Sequence, residues 1–440
     1  MTIHVFAGPS LSRSPVLALD GVCPHPPIAH GDLYRLRLSG EDTVLIVDGV
    51  YQHTAPIRHK EILELYAAGV PVYGTASLGA LRACELHGHG MVGLGTVYAW
   101  YQDGRVISDA DVALTHGDAD IEFRAFTHAL VSVLSVTDRL VAAGRLDATA
   151  ASDVVELARE VHFSSRTNAA LLAAADERGT GAAMRLVVDE LRGDRLGDIK
   201  RIDAEAAVRD LLAGAAPEPP AGDVTVPLTS YRREWRLQHT PATADPDGPT
   251  ERQVLAYAQL FLPDFPDRHT AHVLGNLRPE YPEIGFDDLP PAWMDGLSPD
   301  ELVRRRILAP GERDTLDEKE RALRVLVRTF RRRSGRLVYE EIPPELAADL
   351  PELTGQSARL LRLTERAMWV NPKFHPGDVP TQQLDDTFAA LWRTDHLPTA
   401  VLDRGFRSLG EFREQARPYF MAARAVVAMN DAPRPADAAL

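Results

Sequence analysis

The chain has 440 residues, 45% hydrophobic and 25% charged, the composition of folded domains and enough length for two or three of them. Its formal net charge of −15 and pI near 5.5 argue against a nucleic-acid binder, which needs a basic face to neutralise phosphates. No apolar run is long enough to span a bilayer, no basic segment leads an apolar stretch at the start, and Cys23 and Cys84 make neither a disulfide framework nor the spacing of a zinc site, so the expectation is a cytoplasmic protein with two small buried thiols.

In chain order, Ile3 to Ala7 is a short apolar run that ends in Gly8-Pro9-Ser10, a strand followed by a turn. Thr43 to Val47 is continuously apolar, as a buried parallel strand requires, and stops at Asp48-Gly49. Pro56 to Ala68 has a helical apolar face with Gly69 as its stop, and Val70 to Tyr73 is a third strand. Gly74-Thr75-Ala76-Ser77 then turns into a helix over Leu78 to Leu86. Strands alternating with helices predict an α/β fold with a parallel sheet over the N-terminal part.

Alanine- and leucine-rich helical patterns follow at roughly 122–143, 148–162, 166–178, 181–192 and 203–213, forming a helical flank. The predicted organisation is a core with its flank over 1–213 and a Pro/Ala/Gly-rich linker over 214–250. A mostly α-helical accessory domain follows over 251–430, then a disordered tail over 431–440. Arg321, Arg324, Arg328, Arg331, Arg332, Arg333 and Arg336 read as a basic stripe, either a solvated face or a contact for an acidic partner.

The chemistry is expected at the three loops that follow the three strands, because ligands of open parallel sheets bind at the carboxyl ends of the strands. Gly8 and Ser10, Asp48, and Gly79 would line that edge and supply backbone N–H groups to a substrate or an oxyanion. Ser77 sits between a strand and a helix among small residues, which suits either a nucleophile on a tight turn or a plain helix N-cap. Lysine fills only four of the 48 Lys/Arg positions: Lys60, Lys200, Lys319 and Lys373. Arginine stays protonated, whereas a buried lysine can lose its proton and act as base, so Lys60, just before the Ser77 strand, is the candidate partner; a solvated surface lysine is the alternative. His87 and His89 find no third metal ligand at a usual spacing. Gly90 to Gly95 is glycine-rich but follows a helix, the wrong context for a dinucleotide loop.

Taken together, these motifs resemble the TfuA family. The matching residues are Val5-Phe6-Ala7-Gly8-Pro9-Ser10-Leu11, His30-Gly31-Asp32-Leu33, Ile46-Val47-Asp48-Gly49, His59-Lys60-Glu61-Ile62-Leu63 and Ala76-Ser77-Leu78-Gly79-Ala80-Leu81-Arg82-Ala83. They continue through Asp109, Asp111-Val112-Ala113 and His116. The resemblance is strong over about the first quarter of the chain, fades through residue 213, and excludes the region after the linker. It implies a partner of a YcaO-type enzyme in peptide backbone thioamidation. The implied activity is release of sulfide from a thiocarboxylated, ubiquitin-like sulfur-carrier protein by a Ser–Lys pair, with Ser77 as nucleophile, Lys60 as base, and His59 and Arg82 as binding residues. No cofactor is implied. The competing readings are a non-catalytic adaptor that docks a precursor peptide or the carrier onto the YcaO enzyme, and a YcaO partner in another ribosomal-peptide modification.

Overall fold

A computed structural model describes residues 2–50, 54–193, 198–220, 224–282, 297–333 and 338–431. The chain divides into two compact units, Met1–Pro227 and Leu228–Leu440. The division falls inside the stretch read as a linker, part of which, Ser230–His239, is helical. The expected tail beyond Asp431 lies outside the described residues.

The first unit is built on five parallel strands: β1 (Ile3–Phe6), β2 (Val22–His25), β3 (Thr43–Ile46), β4 (Val72–Thr75) and β5 (Val92–Leu94). Their order is β2-β1-β3-β4-β5, so the direction of winding reverses between β1 and β3. That reversal opens a crevice at the carboxyl end of the sheet. Every residue of β3 and β4 is buried, which accounts for their continuous apolar runs. Period-two alternation sends Ile3, Val5, Leu45 and Val47 to one face and Phe6, Val44, Ile46 and Val72 to the other.

The second of those faces packs against α1 (His59–Ala67) and α2 (Leu78–Glu85) through Ile62, Leu78 and Ala83. Two strands escaped the sequence reading. β2 holds Pro24, which lacks an N–H, and is tolerated because β2 is an edge strand paired only with β1. β5 is the Val92–Leu94 part of the glycine-rich run, where a side chain at Gly93 would collide with the Tyr98 ring.

Beyond the sheet, α3 (Thr96–Gln102) and the one-turn α4 (Asp109–Val112) lead to a helical flank. It consists of α5 (Leu130–Ala142), α6 (Ala148–Glu160), α7 (Asn168–Glu177) and α8 (Gly181–Gly193), joined by a core that includes Trp100, Leu134, Val154, Leu171 and Val187. The first flank helix starts later than its pattern suggested. Glu122 and Phe123 take left-handed backbone conformations, φ 54° and 55°, which no helix accommodates. The chain then returns to the sheet in α9 (Ile199–Leu212), whose Ala204, Ala207, Val208 and Leu211 cover the face of Ile3, Val5 and Leu45. Asp198 caps α9 by accepting from the Lys200 N–H, so the helix begins four residues before its expected start.

The second unit is helical over its described residues, with a core centred on α10 (Glu251–Phe261) and aromatic contacts such as Phe388 edge-on to Phe412. The arginine stripe is a solvated face only in part: Arg324 and Arg333 are exposed, and its other described members are buried or half-buried. Arg328 is buried and donates to Glu312 and Asp403, Arg332 pairs with Glu280, and Arg331 donates to the Phe330 carbonyl. Arg336 lies outside the described residues. Burial disfavours the Arg328 charge, but its bonds to Glu312 and Asp403 outweigh that and hold its pKa above the ordinary arginine value. Replacing Arg328 by Met would strand two carboxylates against this seam. It should cost the second unit about 3–5 kcal/mol, measured by chemical denaturation against wild type.

Candidate active site

Ser77 stands where β4 turns into α2. The turn is sharp: Ala76 has φ 64°, a left-handed conformation that costs a non-glycine residue roughly 1–2 kcal/mol. Glycines on both sides allow it. A Cβ on Gly74 would lie 2.1 Å from the Gly79 carbonyl oxygen, and one on Gly79 would lie 1.8 Å from the Ile46 carbonyl oxygen. Gly79 therefore serves close packing of α2 on β3, and its N–H is already bonded to Val47 O at 3.1 Å. Ser77 occupies the N-cap position of α2, yet its side chain makes no cap bond. Among the described residues the Ser77 hydroxyl has no hydrogen-bond partner, and the Leu78 N–H at the start of α2 has none either.

The crevice between β1 and β3 is organised by Asp48, which is 3% exposed. Its Oδ2 accepts from the Gly8 and Ser10 N–H groups, both at 2.9 Å, and its Oδ1 accepts from Ser10 Oγ at 2.7 Å. The loop amides expected to hold an oxyanion are thus committed to Asp48. The cation facing it is Lys200, also buried, with Nζ 3.8 Å from Asp48 Oδ1 and donating to the Val112 carbonyl at 3.1 Å. Val112 is held in turn by α4, where Asp111 accepts from the Ile107 and Ser108 N–H groups.

A cavity of about 330 Å³ opens here, lined by Ser77, Lys200, Asp48, Pro9, Thr54 and His116 among others. His116 donates from Nδ1 to the Gly117 carbonyl at 2.7 Å. Lys200 and Pro9 also line a second cavity of about 230 Å³ with Ser10, Ser132, Glu190 and Asp198. Glu190 Oε1 accepts from Arg145, while its buried Oε2 has no partner among the described residues.

Of the residues expected at the site, Ser77 and Asp48 share the cavity, and Gly8 and Ser10 reach it through Asp48. Lys60 does not line either cavity; it is half-buried in the first turn of α1. His59 and Arg82 both donate to Glu85 Oε2, at 2.8 and 2.5 Å, pinning the start of α1 to the end of α2. Burial pushes the Glu85 carboxyl up, but those two bonds more than offset it and hold the group below its ordinary value. Glu61, next to Lys60, is buried and accepts from His30 Nδ1 and the Gly31 N–H, so this motif secures the His30 loop. Lys200 carried one available signal, its rarity as a lysine, but it fell outside the expected helices. His116 was matched as a motif residue without a role.

A cavity-lining hydroxyl on a tight strand-to-helix turn, a buried amine and a helix-start N–H without a partner among the described residues form the parts list of acyl transfer. The described residues include no helix long and apolar enough to cross a membrane. Residues 48–167 match the model of the family described as TfuA-like protein. No curated protein matches the chain.

The Asp48 carboxylate should be the structural centre of the crevice. Asp48→Ala would leave Lys200 unpaired and two buried amides unbonded, costing about 3–5 kcal/mol. Urea unfolding of the full chain, read at the first transition to lose sheet signal, checks this.

Proposed function

We propose, from the match of residues 48–167 to the TfuA-like family model, that the chain is an accessory hydrolase for a YcaO-type enzyme in peptide backbone thioamidation. It would release hydrosulfide from a thiocarboxylated, ubiquitin-like sulfur-carrier protein. The observation that carries the reading is one cavity lined by Ser77, whose hydroxyl has no hydrogen-bond partner among the described residues, and by a buried Lys200. In this proposal Lys200 replaces Lys60 as the base, because Lys60 does not line that cavity.

The chemistry runs in two steps. The first requires the Lys200 ammonium to release its proton to solvent; Ser77 Oγ then attacks the thiocarboxylate carbon while its own proton passes to Lys200 Nζ, and the Leu78 N–H receives the developing oxyanion. The carbon–sulfur bond then breaks, the proton moves from Lys200 to sulfur, and hydrosulfide leaves. Water attacks the acyl-serine with Lys200 again as base, giving the carrier carboxylate and regenerating the hydroxyl. Asp48 orients Lys200, and the second cavity, with a Glu190 oxygen unpartnered among the described residues, is suited to the amide N–H groups of an extended carrier tail.

Single-turnover hydrolysis of a thiocarboxylated carrier, with sulfide as the readout, tests the assignment. Lys200→Ala and Lys200→Arg should each slow release by about 10²–10⁴-fold, and Ser77→Ala at least as much. Lys60→Ala should stay within about threefold of wild type, a margin small beside the loss of a proton-transfer group. Circular dichroism would establish that each variant is folded. Undiminished sulfide release by Ser77→Ala would leave the adaptor reading standing, with Ser77 and Lys200 as packing residues.

For the second unit we propose a docking role, since it is a compact unit with a hydrophobic core of its own. A chain ending at Pro227 should keep carrier hydrolysis and lose affinity for the YcaO enzyme or precursor peptide, measured by calorimetry. Equal affinity in the shortened chain would remove the docking role.

A further inference from the structure

We propose that His4, Cys23 and His25 form a site for a zinc-class divalent ion at the edge of the sheet, with two imidazole nitrogens and one thiolate as ligands. The parallel register of β1 and β2 pairs His4 with Cys23 and Phe6 with His25. Alternation along each strand therefore turns all three donors to one face. One donor atom from each residue lies within 4.8 Å of the other two. His4 Nδ1 is 2.9 Å from His25 Nε2, and His25 is stacked between the rings of His4 and Phe6, at 5.2 and 4.7 Å between centroids.

Tetrahedral zinc takes nitrogens at 2.0–2.1 Å and sulfur near 2.3 Å, which asks for donors roughly 3.3–3.8 Å apart. The cluster lies within a side-chain adjustment of that geometry. All three residues are partly buried, enough to shed some water while keeping a route in. On binding, the Cys23 S–H bond gives its proton to solvent and a sulfur–metal bond forms. The ion and thiolate together leave one positive charge, facing Asp42. Three protein donors leave a fourth position for water or a small anion.

The sequence hides this site because its ligands come from two strands at spacings no metal motif uses. Its placement also gives it a task. β2 is a four-residue edge strand interrupted by Pro24, and the chain leaving it packs Pro27 against Gly8, whose N–H holds Asp48. An ion clamping β2 to β1 would steady the approach to the crevice.

The full chain, stripped with a chelator, would be titrated with zinc(II) and, separately, with cobalt(II). The expected result is about one ion per chain, a thiolate-to-cobalt charge-transfer band, and a rise in Tm of roughly 5–10 °C at about a hundredfold excess over Kd. Cys23→Ser and His25→Asn should lose the band and the Tm rise. Cys84→Ser should keep both, its sulfur being engaged by Gln102 Nε2 at 3.2 Å. If Cys23→Ser does not fold, the wild-type and Cys84→Ser cobalt spectra decide which sulfur ligates. Absence of the band, its loss in Cys84→Ser, or undiminished binding by Cys23→Ser would overturn the proposal.

Discussion

The first unit depends on the requirement that a buried carboxylate be fully partnered. Asp48 is almost wholly removed from water, and a bare charge there would cost several kcal/mol. It is met by two backbone amides and a hydroxyl from the loop after β1, with Lys200 opposite. These contacts join the end of β3, the end of β1 and the start of α9, three segments with no covalent reason to meet. The same contacts fix the shape of the crevice where the sheet reverses its winding, so the fold and the candidate site share one electrostatic centre.

Around that centre the backbone comes unusually close to itself. Gly74 and Gly79 let α2 lie against β3 and β4 at distances no side chain would permit, and Gly49 accommodates Leu78 in the same way. The strain at Ala76 is the cost of delivering Ser77 with its hydroxyl unspent. Ser77 is well placed to cap α2 and does not, which separates it from ordinary helix-start serines such as Ser298, whose side chain accepts from the Glu301 N–H.

Much of the sheet was legible because β1, β3 and β4 are either continuous apolar runs or regular alternations ending at glycine-bearing loops. The strands that were missed, β2 and β5, are short, lie at the two edges and contain proline or glycine, so no local pattern announces them. Ser77 and Asp48 were legible for the same reason as their strands: each sits at a strand's carboxyl end. Lys200 was not, since its position follows from α9 folding back over the sheet, a long-range event that no spacing encodes. The arginine stripe misled at Arg328 for a related reason. Charge at helical spacing implies a wet face only if no partners arrive, and Arg328 meets Glu312 and Asp403 from other helices. The domain after the linker, read as helical, is helical over its described residues.

The distance along the chain between the Asp48 loop and α9 has a consequence for the order of events during synthesis. Ribosomes add about 5–20 residues per second, so Asp48 and Ser77 leave the peptidyl-transferase centre roughly 6–30 s before Lys200 has been made. Until then the nascent chain has no cation to meet Asp48, and its sheet, as it forms, lacks the helix that covers one whole face. Contacts of such long sequence separation form late because loop closure must come first. The Asp48–Lys200 contact is therefore made at the last step of assembling the first unit, and a chain stalled or cleaved before α9 would carry the buried carboxylate without its cation.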